Sequence, residues 1–511
     1  MPLVPTRISR SRGWLGLAAI ALVAGPCAAG VSAGSTVPSR ANIVLILADD
    51  LGYGDVRALN PEGKLLTPHL DQLAGQGMIF RDAHSSSSVC TPTRYSLLTG
   101  RYNWRSRLKN GVLWGYSRRL IEPERMTVAS MLGRHGYHTA CVGKWHLGMD
   151  WPLKTGGFAA DERDAWNVDY AKPIPNGPTT VGFDEFYGIS ASLDMPPYVY
   201  IEQDRSVGIP TVEKAFHRKG PAHEDFEAID VLPTLTEKAV DYIHRRAPHA
   251  KQGTPFFLYF ALTAPHTPIL PTGDWQGKST INAYGDFVMQ VDAAVGQVVD
   301  ALERNGLAQE TLVIFTSDNG CSPAANFAEL AAHGHHPSYQ FRGHKADIFE
   351  GGHRIPLIVR WPGKVRAGAT SDQLTCLVDL FATCADLIGA ALPNDAAEDS
   401  VSILPALLET AEGPLRETVV HHSVQGKFAI REGHWKLCLC PGSGGWSDPR
   451  PESEAARLLP PVQLYRLEAD IGERQNLRGE YPEVVKRLRE RLLHQVEQGR
   501  STPESTAVPS K

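Results

Sequence analysis

Runs of apolar residues of strand length recur along the chain, and each ends in polar residues. A fully apolar run suits a parallel strand that is covered on both faces. Between the runs, apolar residues recur at helical spacing over 229–245 and 281–305. The pattern therefore predicts an α/β fold with a central, mostly parallel sheet. The predicted buried strands are 42–47, 137–143, 255–262, 311–316 and 355–361.

The C-terminal part of the chain has a different pattern. Short strands separated by tight turns, followed by a helix over 481–499, predict a smaller antiparallel-sheet domain over 416–500. A connector rich in Pro, Asp and Glu precedes it, so we place the larger, catalytic domain at 40–392 and a disordered polar tail at 501–511. The predicted strands are 419–422, 427–431, 434–440 and 463–467.

The N-terminus has the features of a signal peptide. Arg7, Arg10 and Arg12 precede an apolar run over 14–31, and small residues follow it. We expect cleavage between 29 and 33 and export to the periplasm or the medium. An uncleaved anchor and a lipoprotein attached at Cys27 are the alternatives, but the run is short for a membrane span and contains a proline. We expect no stable membrane insertion.

Composition narrows the class of protein. The chain has 511 residues, 42% hydrophobic and 21% charged, which is ordinary for a globular protein of more than one domain. A net charge of −5 argues against a nucleic-acid surface. Its eight cysteines are too few for a dense disulfide framework. Cys376 and Cys384 fall on one predicted helix over 374–389, too far apart to pair, so we expect core cysteines.

Acidic residues follow two of the predicted buried strands. Asp49 and Asp50 come directly after 42–47, and Asp318 and Asn319 come just after 311–316. Ligands of α/β sheets bind at the carboxyl ends of the strands, and buried carboxylates need a cation or donors. Solvated turns are the alternative for either pair alone. Together the four oxygen donors predict a Ca²⁺ or Mg²⁺ site.

A serine-rich segment over 85–101 contains a second candidate site. Pro92 and the helical pattern after it place Cys90 near a helix N-terminus, with Arg94 one turn further on. A cysteine in such an electropositive position is reactive, although an ordinary buried cysteine fits the same pattern.

Basic residues follow other predicted strands. Lys144 and His146 alternate with Trp145, so in extended chain they point the same way and suit an anion pocket with a proton acceptor, or a plain surface. Prolines on both sides of His266 hold it at a strand end. The histidine-rich loop 333–338 fits a metal tract, a pocket lining or a solvated loop.

The sequence Cys-Thr-Pro-Thr-Arg, followed by Leu-Leu-Thr-Gly-Arg, closely resembles the signature of the formylglycine-dependent sulfatases, and the resemblance extends from about 42 to 476. It implies an alkaline-phosphatase-like α/β sandwich. It further implies that a maturation enzyme converts Cys90 to formylglycine. The hydrated aldehyde would bind the metal through one oxygen, be stabilised by Arg94, and attack the sulfur of a sulfate ester.

The same resemblance implies roles for other residues. Lys144 and Lys345 would neutralise the sulfate oxygens, and His266 would protonate the leaving alcohol. His146 would take a proton from the second hydroxyl of the hydrate, so that the C–O bond breaks, sulfate leaves and the aldehyde is regenerated. A plain serine or cysteine could not perform this step. Ser192 falls where the family has an active-site serine. Lys345 lies within a family-like Phe-Glu-Gly-Gly context.

Two rival functions remain at this point. A phosphate or phosphonate ester hydrolase of the same fold would use an unmodified Thr or Ser and two zinc ions, against which Asn319 and the intact Cys-Thr-Pro-Thr-Arg argue. A non-catalytic binding protein would not need every catalytic position to be retained. We therefore expect a sulfuric ester hydrolase that acts on a carbohydrate or aryl sulfate.

Overall fold

The described part of the chain, residues 40–504 of this computed structural model, combines a large sheet, a small sheet and helices. The strands are β1 (Asn42–Ala48), β2 (Met78–Phe80), β3 (Ala83–His84), β4 (His138–Lys144), β5 (Glu185–Ile189), β6 (Ile201–Glu202), β7 (Arg205–Ser206), β8 (Val212–Ala215), β9 (Lys219–Ala222), β10 (Phe256–Ala261), β11 (Thr311–Ser317), β12 (Leu357–Arg360), β13 (Ala369–Ser371), β14 (Thr375–Cys376), β15 (Thr418–His422), β16 (Phe428–Glu432), β17 (Trp435–Cys438) and β18 (Gln463–Arg466). The α-helices are α1 (Pro68–Gly75), α2 (Cys90–Thr99), α3 (Val128–Arg134), α4 (Val231–Lys251), α5 (Ala283–Arg304), α6 (Phe327–Ala332), α7 (Glu350–His353), α8 (Leu380–Leu387), α9 (Leu404–Leu407), α10 (Glu454–Arg457) and α11 (Pro482–Glu497).

The large sheet has the strand order β13-β2-β12-β11-β1-β10-β4-β5-β6-β7. Its middle strands, from β11 through β1, β10 and β4 to β5, all pair in parallel. Antiparallel pairs occur only outside this group, for example β11 with β12 and β5 with β6. Every residue of β1, β10 and β11 is buried. The predicted mostly parallel sheet is confirmed.

Helices cover both faces of the large sheet. Ile43 and Leu45 of β1 enter a core that includes residues of α2, α3 and α8. Val44 and Ile46 enter the opposite core, which includes residues of α1, α4 and α5. Because successive strand residues point to opposite faces, a run that is apolar throughout is buried on both sides. This confirms the predicted α/β sandwich.

The smaller sheet follows in the C-terminal part, with the antiparallel order β15-β16-β17-β18, as predicted. Residues of α11 pack into its apolar core. The boundaries 40–392 and 416–500 stay predictions. Ser501 and Thr502, at the start of the predicted disordered tail, donate backbone hydrogen bonds to Glu398 O. Residues 505–511 and the predicted signal peptide at 1–33 lie outside the described residues.

None of the helices within residues 40–504 combines the length and the apolar character that a bilayer-spanning helix requires.

Two local predictions are wrong. The helix predicted over 374–389 begins only at Leu380, because Cys376 lies in β14 and its N–H donates to the Asp379 carboxylate at 2.9 Å, which turns the chain. In the histidine-rich loop His333 and His336 are exposed, as the solvated alternative predicts, but that alternative is wrong for His335. It is buried, and its Nε2 bonds Asp55 at 2.8 Å. The expectation of core cysteines is confirmed, since every cysteine of 40–504 is free and buried.

A buried histidine cluster joins the small sheet to the segment that precedes α2. His84, His353 and His421 are fully buried and in contact, with the rings of His353 and His421 stacked at 3.8 Å. His421 Nδ1 donates to Ser85 O at 3.0 Å. The backbone of neighbouring His422 bonds Ser88 at 3.1 Å. The cluster therefore fixes the chain leading to Cys90.

His84 of this cluster and His422, which follows His421 in the chain, predict sensitivity to acid. Burial, with nearby cations, lowers the pKa of His84 to about 3, and burial lowers the pKa of His422 to about 4, whereas the ordinary value is 6.5. As the pH falls below about 6.5, these histidines therefore bind protons in the unfolded chain but stay unprotonated in the folded protein. Stability is retained above pH 6.5 and falls as the pH drops toward the folded pKa, by about 1.4 kcal/mol per pH unit for each such histidine.

Chemical unfolding between pH 7 and pH 5 checks this expectation. The variant His422→Asn should show a pH slope of unfolding free energy that is smaller by about one proton. His336→Asn, at an exposed histidine, is the matched control and should leave the slope unchanged. An unaltered slope in His422→Asn would contradict the assignment.

Candidate active site

The middle strands of the large sheet all deliver polar residues to one edge. Asp49 and Asp50 follow β1, and Asp318 and Asn319 follow β11, where Ala48 pairs with Ser317 in register. The other three parallel strands contribute in the same way, because carboxyl ends of parallel strands meet at one edge. Lys144 ends β4, and the remaining residues lie just beyond strands β4, β5 and β10: His146, Ser192 and His266.

Cys90 is the first residue of α2 and is only 2% exposed. Its Sγ lies 3.7 Å from Asp49 Oδ1. The serine run before it is buried, and Ser88 O accepts the backbone N–H of Ala346 at 2.8 Å. The prediction of a cysteine at a helix N-terminus is therefore confirmed, and the segment that holds it is fixed by hydrogen bonds to the Lys345 loop.

Three cations pair with the three carboxylates of the site. Lys144 Nζ donates to Asp49 Oδ2 at 2.6 Å, and Lys345 Nζ donates to Asp50 Oδ2 at 2.7 Å. The guanidinium of Arg94 makes two hydrogen bonds, of 3.0 and 2.8 Å, to Asp318 Oδ2. These side chains are almost completely buried, so the opposite charges compensate one another in a low-dielectric site.

Burial and neighbouring charges shift the pKa values of Asp318 and Asp49 in opposite directions. Burial and then the charge of Asp49 raise the pKa of Asp318 to about 6. Burial also opposes ionisation of Asp49, but Lys144 and other cations outweigh it and hold the pKa of Asp49 well below 3.8. Carboxylates this close oppose one another's ionisation, and a bound cation would relieve that opposition.

The donor set fits one hard divalent cation. Asp49, Asp50, Asp318 and Asn319 offer oxygen ligands from two adjacent strand ends. The Nδ2 of Asn319 donates to Asp50 Oδ1 at 2.7 Å, but its Oδ1 is buried without a hydrogen-bond partner within residues 40–504. Asp49, Asp50, Cys90 and His266 each place a potential ligand atom within 4.8 Å of the others. An unpaired amide oxygen beside carboxylates suits Ca²⁺ or Mg²⁺.

The position of His146 does not follow from strand alternation. β4 ends at Lys144, and His146 has a φ of +56°, so the two residues are not in one extended segment. His146 Nε2–H donates to Leu113 O at 2.7 Å, which leaves Nδ1 buried and unpaired within the described residues. Burial and then Lys144 lower the pKa of His146, which favours the neutral ring and leaves a lone pair on Nδ1.

His266 and Ser192 also belong to the site. His266 Nδ1 donates to Thr267 O at 2.6 Å, and His266 Nε2 lies 3.6 Å from Asp50 Oδ2. Ser192 Oγ accepts from Lys144 Nζ at 3.4 Å and lies 3.2 Å from His266 Nδ1. The serine therefore contacts both a cation and an imidazole of the site.

One neighbour of His266 was missed at the sequence level. Asp194 lies two residues after Ser192, and its Oδ1 is 4.0 Å from His266 Nδ1. Arg218 pairs with the same carboxylate. The short separation from Ser192 was a usable signal for Asp194, whereas nothing in the loop sequence over 200–230 indicates Arg218.

The Arg94–Asp318 pair predicts a large effect of a conservative change. Lysine cannot reproduce the two-pronged contact of a guanidinium, so Arg94→Lys leaves Asp318 poorly compensated. We expect turnover to fall by about 100-fold or more and stability by about 3 kcal/mol. Steady-state assays and thermal unfolding measure both.

A matched control separates site chemistry from folding. Arg105 also donates two hydrogen bonds to one buried carboxylate, that of Asp399, at 2.8 Å each and away from the strand ends. Arg105→Lys should lower stability by a comparable amount and leave turnover near that of the parent protein. Equal turnover in the two variants would contradict a role for Arg94 in turnover.

Comparison with known proteins adds independent information. The sulfatase family model matches residues 41–390. The chain is 33% identical over 499 residues to an N-acetylgalactosamine-6-O-sulfatase of Bacteroides thetaiotaomicron, covering 89% of this chain and 92% of that protein. It is 34% identical over 487 residues to human arylsulfatase A, covering 91% and 89%.

A solved structure supports the same relationship. Its description concerns the metabolism of multiple glycosaminoglycans by Bacteroides thetaiotaomicron. The two structures match with a TM-score of 0.77 and 32% identity, and the match covers 90% of this chain and 100% of that one. The matched family region contains every site residue described above, from Asp49 to Lys345. The chain therefore belongs to the sulfatase family, enzymes of the alkaline-phosphatase-like fold that hydrolyse sulfate esters.

Proposed function

We propose that this sulfatase releases sulfate from a carbohydrate or aryl sulfate ester, with formylglycine at position 90 and one divalent cation. Its relatives include an N-acetylgalactosamine-6-O-sulfatase and an arylsulfatase, which supports both substrate classes. The observation that carries the proposal is the meeting of Cys90 with three carboxylates, two lysines and two histidines at one sheet edge.

The proposed cation is Ca²⁺, with Mg²⁺ as the alternative. Asp49, Asp50, Asp318 and Asn319 would hold it together with the side chain at position 90. When bound, the cation supplies Lewis acidity and lowers the pKa of a coordinated hydroxyl. The described site already balances three carboxylates with Arg94, Lys144 and Lys345, so a divalent cation would give the site a net positive charge that attracts a sulfate anion.

Conversion of Cys90 must precede folding in this proposal. The thiol is 2% exposed, and burial raises its pKa, so the folded protein keeps it inaccessible and un-ionised. A formylglycine-generating maturation enzyme would therefore act on the extended segment. The resulting aldehyde, when hydrated, supplies the nucleophilic oxygen.

The chain's own residues divide the remaining work. Lys144 and Lys345 would neutralise the sulfate oxygens in the transition state, which is usually the largest contribution to catalysis. His266, with its Nδ1–H held by Thr267 O, would present protonated Nε2 to the leaving oxygen.

His146 would act in the second half of the reaction. Its Nδ1 is unpaired, and a lowered pKa keeps the ring neutral, so Nδ1 would accept the proton of the second hydroxyl of the hydrate. The C–O bond to the sulfate group would then break, which releases sulfate and re-forms the aldehyde. Ser192 would orient Lys144 and His266, which it contacts at 3.4 and 3.2 Å. These roles follow the family resemblance, and the local hydrogen bonds support them.

The proposed location is outside the cytoplasm. A signal peptide at 1–33, cleaved on export, would deliver the enzyme to the periplasm or the medium, where sulfated polysaccharides are accessible. Nucleic acid is not an expected partner, given the net charge of −5.

Sulfate release tests the proposal directly. Protein co-expressed with a maturation enzyme, with formylglycine verified by peptide mass and loaded with Ca²⁺, should release sulfate from 4-nitrophenyl sulfate and from a panel of sulfated sugars. 4-Nitrophenyl phosphate serves as the control for the rival phosphatase activity. Verified, loaded protein that released no sulfate from any of these esters would overturn the proposal.

A further inference from the structure

Two tryptophans at the mouth of the active site are exposed. Large aromatic side chains are usually buried, and an exposed one beside a catalytic site often binds ligand. Trp446 is 42% exposed and Trp114 is 40% exposed. Neither belongs to the reacting groups described above.

Trp446 lies on the Lys345 side of the site. Lys345 Nζ is 5.9 Å from the centre of the Trp446 ring and also donates to Asp50 Oδ2 at 2.7 Å. The indole is therefore close to the groups that would hold the sulfate. It lies in the loop between β17 and α10, contributed by the small sheet.

Trp114 lies on the histidine side. It follows Leu113, whose carbonyl oxygen accepts His146 Nε2–H at 2.7 Å. Its ring stacks with the guanidinium of Arg218 at 4.7 Å, and Arg218 pairs with Asp194, the neighbour of His266. The two indoles thus adjoin different catalytic groups and come from different loops.

The backbone beneath each indole is fixed. The N–H of Trp446 donates to Asp347 Oδ1 at 2.8 Å, and the N–H of Trp114 donates to Ser117 Oγ at 2.9 Å. Each tryptophan adjoins a glycine at a close contact: a Cβ on Gly115 or Gly445 would overlap a carbonyl oxygen of the facing loop. Exposed rings on such rigid loops are preorganised for a ligand.

We propose that Trp446 and Trp114 are specificity-determining residues that stack against sugar rings on both sides of the sulfated position, so that the substrate is a sulfated saccharide of at least two units. The apolar face of a pyranose packs on an indole, and its hydroxyls stay in water. A small aryl sulfate has one ring and cannot extend toward both indoles. This inference rests on the proposed sulfatase reaction.

The cation beside Trp114 favours an anionic saccharide. Arg218 borders Trp114 with about one third of its side chain exposed, whereas Lys345 beside Trp446 is buried against Asp50 and is assigned to the reacting sulfate. A uronate or a second sulfate on a neighbouring sugar would be attracted to the Arg218 side. Sulfated disaccharides of the glycosaminoglycan type are therefore the appropriate probes.

The experiment compares two substrates in variants of the full-length, formylglycine-bearing enzyme loaded with Ca²⁺. Trp446→Ala and Trp114→Ala should each lower kcat/KM for the preferred sulfated disaccharide about tenfold more than kcat/KM for 4-nitrophenyl sulfate, mostly through KM. Trp446→Phe and Trp114→Phe, which retain a stacking ring, should recover most of the loss. Trp166→Ala, at a third exposed tryptophan (49%) whose carbonyl oxygen accepts from Lys154 Nζ, should change neither value.

Each possible result decides the question. Equal losses on both substrates, or no loss on the disaccharide, would overturn the inference, as would a parent enzyme that cleaves 4-nitrophenyl sulfate and no sulfated disaccharide in the panel. Failure of the parent enzyme on every sulfate ester would instead count against the proposed function. Calorimetric titration of the disaccharide into Cys90→Ala, with and without each tryptophan change, gives a second readout that does not depend on turnover; unchanged affinity would also overturn it.

Discussion

Cys90→Ala is expected to abolish sulfate release while the protein stays folded. Alanine cannot become formylglycine, so the oxygen nucleophile is lost, whereas the carboxylates and lysines of the site remain in place. The side chain is small, and within residues 40–504 its one contact of hydrogen-bond type is to Asp49 at 3.7 Å. Its removal should therefore cost about 1 kcal/mol of stability. Thermal unfolding and an assay of released sulfate measure the two effects separately.

Two companion variants sharpen this test. Cys90→Ser provides a hydroxyl that can be sulfated but lacks the second hydroxyl whose deprotonation expels sulfate, so we expect one retained sulfate per chain, detected by peptide mass, and no turnover. Cys384→Ala removes another buried cysteine, in α8, and should keep full activity. Turnover by Cys90→Ala at more than a trace of the parent rate would rule out Cys90 as the nucleophile precursor.

Much of this site could be predicted from sequence because the sheet itself gathers it. Apolar runs fix where the strands end, and parallel strands end at one edge, so polar residues after each run meet in space. That reasoning applies to Asp49 and Asp318, whose strands prove to be neighbours in register. Cys90 needed one more element, the helix that Pro92 and the following apolar residues indicate.

Other features depend on backbone and tertiary detail that periodicity does not contain. Lys144 and His146 were placed by strand alternation, but β4 ends at Lys144 and His146 has a positive φ. His335 lies in a loop that sequence predicts to be solvated, but a carboxylate 280 positions away in the chain holds this histidine in the core. The exposed tryptophans were not singled out because exposure of an apolar residue is a property of the fold, and no local pattern encodes it.

Removal of divalent cations is expected to abolish sulfate release and to lower the unfolding temperature, and Ca²⁺ should restore both. The site buries three carboxylates, and burial together with the charge of Asp49 raises the pKa of Asp318 to about 6. A cation that binds only the folded protein adds about 4 kcal/mol of stability when its free concentration is 1,000 times Kd. Calorimetry with chelated protein, before and after titration with Ca²⁺ or Mg²⁺, measures the increment and identifies the preferred ion.

A pair of asparagine variants locates this cation. Asn319→Ala removes an amide whose Oδ1 is buried and unpaired beside the carboxylates, so the Ca²⁺-dependent increment should shrink greatly. Asn103 is a matched control, since it is also buried, also has an unpaired Oδ1 within residues 40–504, and donates to Leu108 O and His422 well outside the strand-end group. Asn103→Ala should lose stability yet keep the full increment. Parent protein that melts at one temperature with and without Ca²⁺ and Mg²⁺ would contradict the cation site, because three crowded carboxylates that bind either ion must be stabilised by it.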